Sequence, residues 1–191
     1  MKTSLAKAIQ IFEESSGQSA SESEHIKLNF TVPPIDKLDA AVLSTLANCR
    51  HLSLSTNSIE KMVPITGLKR LEILSLGRNQ IKKIYGLEEI GPTLKELWIS
   101  YNLIEKLDGL APHCTALTVF YIAHNKIKDI NELDKIKDLP ALSNCVFLGN
   151  EFYEKFPTKE EGRLQVLKKI AKLTMIDNVI VTEVDKNKIK E

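Results

Sequence analysis

Five asparagines, Asn57, Asn79, Asn102, Asn125 and Asn150, stand 22, 23, 23 and 25 residues apart. Each closes the same local pattern. It is clearest from Leu94 to Leu107, "LKELWISYNLIEKL", which reads L-x-x-L-x-[LI]-x-x-N-x-[LI]-x-x-L. A unit this short cannot bury its own apolar face, so a chain with five units in register must stack them. The Leu-x-Leu core of each copy reads as a short strand with two apolar side chains pointing inward. The asparagine carboxamide offers both donors and acceptors, which suits it to backbone groups left over where the chain turns out of the strand. These five residues are therefore read as parts of the fold and not as ligands.

The pattern is the leucine-rich repeat signature. The expected fold class is α/β: a leucine-rich repeat solenoid of about six repeats of 22–25 residues, a parallel sheet on the concave face, and helical caps at both ends. Residues 1–24 read as an N-terminal capping helix and linker, 25–177 as the repeat domain with its C-terminal cap, and 178–191 as an extension with a mobile tip. In the first segment Leu5, Ala8, Ile9 and Phe12 form one apolar stripe between a capping Ser4 and a terminating Gly17. Its polar face is mixed in charge, which favours a cap over a membrane-surface helix. His25 to Leu46 is an atypical first repeat, with Ile26 and Leu28 inward and Ile35, Leu38, Val42 and Leu46 at helical spacing. The second halves of the regular repeats place apolar residues every third position, as in Ile59, Met62, Ile65 and Leu68, a stride that predicts 3₁₀ or short helical turns on the convex side. In the cap, Leu164, Leu167, Ile170 and Leu173 are expected on one helix face, with Arg163, Lys168, Lys169 and Lys172 largely on the other.

Bulk properties narrow the function. The 191 residues carry a net charge of +1 with 27% charged residues, so no global field points to nucleic acid or an anionic membrane as partner. The N-terminus has Glu13 and Glu14 and no continuous apolar centre, so it does not read as a secretory signal. Cys49 and Cys145 stand where repeats usually have leucine and read as buried small hydrophobes in a reducing, cytosolic compartment, which gives the sequon at Asn29 no access to glycosylation. No catalytic motif is present, and the four histidines have no ligand spacing to one another or to the cysteines. The expectation is a non-catalytic binding module without metal or cofactor.

Strand alternation then predicts what faces outward on the concave sheet. With Leu52 and Leu54 inward, the outward residues are His51, Ser53 and Ser55, followed by Ile73, Ser75 and Gly77, then Glu96, Trp98 and Ser100, Val119, Tyr121 and Ala123, and Asn144, Val146 and Leu148. Ile73, Trp98, Val119, Tyr121, Val146 and Leu148 are expected to form a contiguous apolar strip, the mark of an interaction site. Six strands at about 4.8 Å make a surface roughly 25 Å wide, which fits a partner helix of about 16 residues. The competing expectation is that the C-terminal segment folds back over the strip.

The strings "LANCRHLSLSTNSIEK", "LEILSLGRNQIKKIYGLE" and "TLKELWISYNLIEKLDGL", with "PPIDKLDA" before them and "CVFLGN" after, resemble the leucine-rich-repeat light chains of axonemal outer-arm dynein. The resemblance covers most of Ile26 to Asn150. It implies a non-catalytic light chain that binds the microtubule-binding domain at the stalk tip of an outer-arm dynein heavy chain, faces tubulin, and tunes ciliary beating in the axoneme. The matching face positions are Ser53, Ser75, Arg78, Trp98, Tyr101 and Val146; Arg78 and Tyr101 lie just before repeat asparagines, at the rim of the face. Thr118 to His124 departs from the family's pattern, so Tyr121 enters by periodicity alone. Arg163, Lys168, Lys169 and Lys172 form a second surface, suited to an acidic partner such as tubulin. The alternatives from other classes are a regulatory subunit that places a phosphatase and a splicing-type adaptor that cradles a helix of an RNA-binding partner.

Overall fold

The computed structural model describes residues 2–190, so Met1 and Glu191, the outer ends of the expected N-terminal cap and C-terminal extension, lie outside it. One sheet runs the length of the molecule. Its strands are β1 (His25–Lys27), β2 (His51–Ser53), β3 (Ile73–Ser75), β4 (Glu96–Trp98), β5 (Val119–Tyr121), β6 (Asn144–Val146), β7 (Met175–Ile176) and β8 (Val179–Ile180). They lie side by side in chain order, parallel from β1 to β7, with β8 turned back antiparallel on β7. The core is a stack of equivalent apolar side chains: Ile26, Leu52, Leu74, Leu97, Phe120 and Cys145 line up one repeat apart, each fully buried.

The asparagines stitch this stack together. Asn102 accepts from Ile81 N at 2.9 Å and donates to Leu76 O and Ile99 O, each at 3.0 Å. Asn57, Asn79, Asn125 and Asn150 repeat the arrangement, each bridging its own repeat to the one before. At the C-terminal end a carboxylate next to β7 reaches back instead: Asp177 Oδ1 accepts from Phe147 N at 2.7 Å and Leu148 N at 3.0 Å, while Tyr153 donates its hydroxyl to Oδ2. Burial and the adjacent Asp177 carboxylate push the Tyr153 hydroxyl upward in pKa, which keeps it a donor.

The convex side differs from the expectation of 3₁₀ turns. The apolar stride of three is buried as read, with Ile59, Met62, Ile65 and Leu68 all inside. Yet residues 57–66 and 79–87 carry no helix. Their backbone N–H groups bond to the neighbouring repeat: Gln80 N to Ile59 O at 2.9 Å, Leu103 N to Ile81 O at 2.9 Å, and Ile65 N to Gly86 O at 2.8 Å. Extended backbone also has a period of three, and once those donors are committed between repeats they cannot close a helical turn. Among the described outer segments 3₁₀ helix forms at Ile130–Lys135, within the 25-residue repeat, and at Tyr153–Lys155, after Asn150.

Both ends are covered. Helix α1 (Leu5–Ser16) is capped by Ser4, stopped by Gly17 in the left-handed region, and buries Leu5, Ala8 and Ile9. Thr3 bonds to Pro33 O and Pro34 O, in the position a preceding repeat would occupy. In α2 (Ala40–Ser44) the buried residue is Leu43; Val42, expected on the inner stripe, is only half-buried. In α3 (Lys159–Lys169) Val166 and Leu167 are buried and Leu164 is half-buried, a rotation of the face expected from spacing. Gly162 fixes that rotation, because a Cβ there would meet the Tyr153 ring. Residues after Asn178, read as an extension with a mobile tip, include β8 and α4 (Glu183–Lys188), with Lys188 paired to Glu160 at 2.7 Å.

Removing one ladder carboxamide strands three buried backbone groups. Asn102→Ala is expected to cost about 3 kcal/mol, a fall of roughly 6–12 °C in Tm; a thermal melt showing less than about 1 kcal/mol would refute the ladder's role. All three cysteines are fully buried, and burial raises the thiols of Cys49 and Cys114 to about 12, with Cys145 also raised. A thiol reagent at mildly alkaline pH should therefore leave the native protein unmodified and label all three positions once denaturant is added; rapid native labelling would contradict this packing.

Candidate protein-binding face

Strand register sorts the outward residues of the sheet into rows. Ser53, Ser75, Trp98, Tyr121 and Val146 are paired in one row, and His51, Ile73, Glu96, Val119 and Asn144 in the next. The apolar residues predicted as one strip are thus split between rows and interrupted by Glu96. Ile73, Val119 and Val146 are half-buried on this face; Leu148, beyond the end of β6, packs against the core. Ser75, expected to be an available contact, is only 3% exposed.

Small size at Ser75 has a use. It lets His51 on β2 and Trp98 on β4 meet diagonally across β3, ring centroids 5.9 Å apart, edge to face. Trp98 stacks in turn on Tyr121 at 6.1 Å with 18° between planes, and His51 meets His25 at 6.2 Å. Glu96 accepts from Trp98 Nε1 at 2.9 Å, which fixes the indole. The result is an aromatic run, His25–His51–Trp98–Tyr121, across β1 to β5. Offset aromatic pairs of this kind add about 0.5–1.5 kcal/mol beyond area burial, so the face is pre-ordered. His25 and His51 were not singled out from the sequence as members of it; a histidine at the same outward position of two successive strands was the available signal.

A second run lies along the rim where the strands end. Phe30, Thr56, Arg78, Tyr101 and His124 occupy the same place in successive repeats and all have positive φ, from 51° to 62°. Their N–H groups bond to the next repeat, as Arg78 N to Ser100 O and His124 N to Leu148 O, each at 2.9 Å. Holding a residue with a Cβ in this region costs about 1–2 kcal/mol. The last repeat uses Gly149 instead, where a Cβ would strike the His124 ring. The Arg78 guanidinium sits 4.4 Å over the Tyr101 ring, and Tyr101 stacks on His124 at 4.4 Å with 15° between planes. Arg78 and Tyr101 are brought together as the sequence placed them; His124 joins them.

The expected fold-back of the C-terminal segment does not occur: α4 packs on α3 at the end of the solenoid. The basic surface on α3 is largely committed. Lys169 bonds to Asp134 at 2.9 Å and Asn131 at 2.7 Å, Lys172 donates to Leu139 O, and Arg163 is half-buried beside Asp185, leaving Lys168 exposed. Among the described residues no group of acidic, histidine or cysteine side chains could hold a metal ion, and no helix is long and apolar enough to cross a membrane.

Burial, followed by the positive charges of His25 and Lys27, holds His51 below the usual histidine value, with Glu96 opposing. A group whose folded pKa is depressed contributes stability that is complete above its ordinary value of about 6.5 and lost as pH falls. Titration of His51 followed by ring-proton resonances should therefore give a midpoint below about 6.5; a midpoint above it would refute the packing of this face.

A family model described as "Leucine Rich repeats (2 copies)" matches residues 92–144. The rat (Rattus norvegicus) protein named dynein axonemal light chain 1 is 46% identical over 183 residues, spanning 96% of this chain and 95% of the relative. The protein of that name from Chlamydomonas reinhardtii is 42% identical over 94% of this chain and 91% of the relative, and that from Xenopus laevis 47% identical over 92% and 90%. Among solved structures, a chain of the Drosophila melanogaster SNF/U2A' complex superposes with a TM-score of 0.67 at 18% identity, covering 82% of this chain and 91% of that one. That likeness carries the architecture alone. Identity at this level over nearly the whole of both chains is decisive: this chain belongs to the dynein axonemal light chain 1 family.

Proposed function

We propose that this light chain is non-catalytic and acts in the ciliary axoneme, where its concave face binds the microtubule-binding domain at the stalk tip of an outer-arm dynein heavy chain and tunes the motor's hold on the microtubule. The observation that carries the reading is the Trp98–Tyr121 stack, flanked by Ile73, Val119 and Val146 on a sheet face that no other element among the described residues covers. The buried core does not need these positions, since it is built from the inward residues of the strands, the outer segments and the capping helices. Tryptophan and tyrosine at the centre of a patch are the residue types that dominate interface energetics. Arg78 and Tyr101 extend the patch to the rim, where a guanidinium stacked on a ring presents both charge and apolar surface. Ser75 contributes by its size and not by contact. The family assignment supports a dynein partner over a phosphatase or a splicing factor. The Lys168 side of α3 is the part of the expected tubulin-facing surface that stays free.

Trp98 is the only tryptophan, so it reports on its own face. Titration with a recombinant stalk-tip domain lacking tryptophan should shift its emission to the blue, saturably. Trp98→Ala should weaken binding by about 2 kcal/mol or more, roughly 30-fold in Kd, while the thermal melt, lowered by the lost ring contacts and the Glu96 bond, stays cooperative. Undiminished affinity in that variant would overturn the assignment of the face, and an absence of any spectral response would overturn the assignment of the partner.

A further inference from the structure

The outer flank of the solenoid, away from the sheet, carries a feature that the concave face does not explain. Lys37, Lys61, Lys83 and Lys106 each stand two residues after the buried isoleucine that follows the turn, Ile35, Ile59, Ile81 and Ile104, so they repeat at the same place in four successive repeats. All four are exposed, and none enters an ion pair or side-chain hydrogen bond with a described residue. Their positions follow a stack whose strands lie about 4.8 Å apart. Like charges held one above another at such spacing repel and destabilise. Nothing in the packing requires them, because these side chains point away from the core.

Beneath the column lies a furrow. Three adjoining depressions of about 300, 330 and 540 Å³ share walls at Glu60–Lys61 and at Lys82–Lys83, and so run on from Lys37 to Lys106 across four repeats. Their floor is apolar, with Leu38, Met62, Val63, Ile84 and Tyr85, the last 53% exposed. Basic side chains outnumber acidic ones along the walls, and one of the acids, Asp36, is neutralised by Lys2 at 3.0 Å. A narrow channel with an apolar floor and an unpaired cationic edge is complementary to an extended chain that alternates acidic and apolar residues. Such a chain turns successive side chains to opposite sides, about 6.6 Å apart on each side, presenting carboxylates to the lysines and apolar groups to the floor.

We propose that this furrow is a second docking site, which takes an extended acidic segment of a protein partner lying along the solenoid axis. It is separate from the concave face and does not depend on what that face binds. The test uses the full chain and a fluorescein-labelled peptide alternating glutamate with valine, followed by anisotropy. Saturable binding is expected, weakened severalfold when salt rises from about 50 to about 200 mM and at least tenfold by Lys61→Glu with Lys83→Glu. Lys168→Gln and Trp98→Ala should leave it unchanged, which keeps this outcome apart from the fate of the concave face. If the double variant melts early, the milder Lys83→Gln should still weaken binding about threefold. Absence of binding, equal binding by the charge-reversed variant, or tighter binding of single-stranded DNA of equal charge would each overturn the proposal.

Discussion

The asparagine ladder is the constraint from which the rest of the structure follows. A strand only three residues long leaves several backbone donors and acceptors exposed where it ends, and stacking buries them. A short carboxamide accepts at its oxygen and donates two hydrogens from its nitrogen, so it satisfies groups on two repeats at once. With the turns held, the backbone donors of the outer segments become available to bond between repeats instead of within them. Continuous cross-repeat bonding on both sides makes the core a column of equivalent positions. It also frees the outward side chains from any structural duty.

Much of this was legible in the sequence, and the reasons are physical. The repeat, its asparagines and the inward leucines are periodic, and period is what a linear sequence displays best. Helix α1 announced itself by a cap, a stripe and a stop. The convex segments are ambiguous in sequence because a stride of three belongs to 3₁₀ and to polyproline-type backbone alike, and only the destination of the N–H groups distinguishes them. In α3 the buried face was set by a ring, Tyr153, that packs against Gly162 from outside the helix; no pattern internal to the helix contains that information. The contact of α4 with α3 likewise joins residues far apart in the chain, Glu160 and Lys188 among them.

The outward face shows the same division. Alternation named Trp98 and Tyr121 correctly as neighbours, since parallel register preserves position from strand to strand. It could not reveal that His51 reaches Trp98 across the small Ser75, because diagonal contacts depend on side-chain size in the strand between. Nor could it show that five residues with side chains would be held at positive φ along the rim. Glycine would be the less costly choice there, and the chain uses it only at Gly149, where the imidazole of His124 leaves no room for anything larger.

Asp177 gives the molecule a defined end. Every asparagine in the ladder both gives and takes as it reaches back to the repeat before it. An ionised carboxylate only takes, and here its two oxygens are occupied by Phe147, Leu148 and Tyr153. Beyond β7 the sheet edge is taken by β8, which runs antiparallel, so another parallel repeat could stack there only by displacing it. A protein assembled this way works as a ruler: its binding surface comes in whole steps of one strand, and a change in the reach of that surface has to be made by inserting or deleting an interior repeat and never by extending the tip.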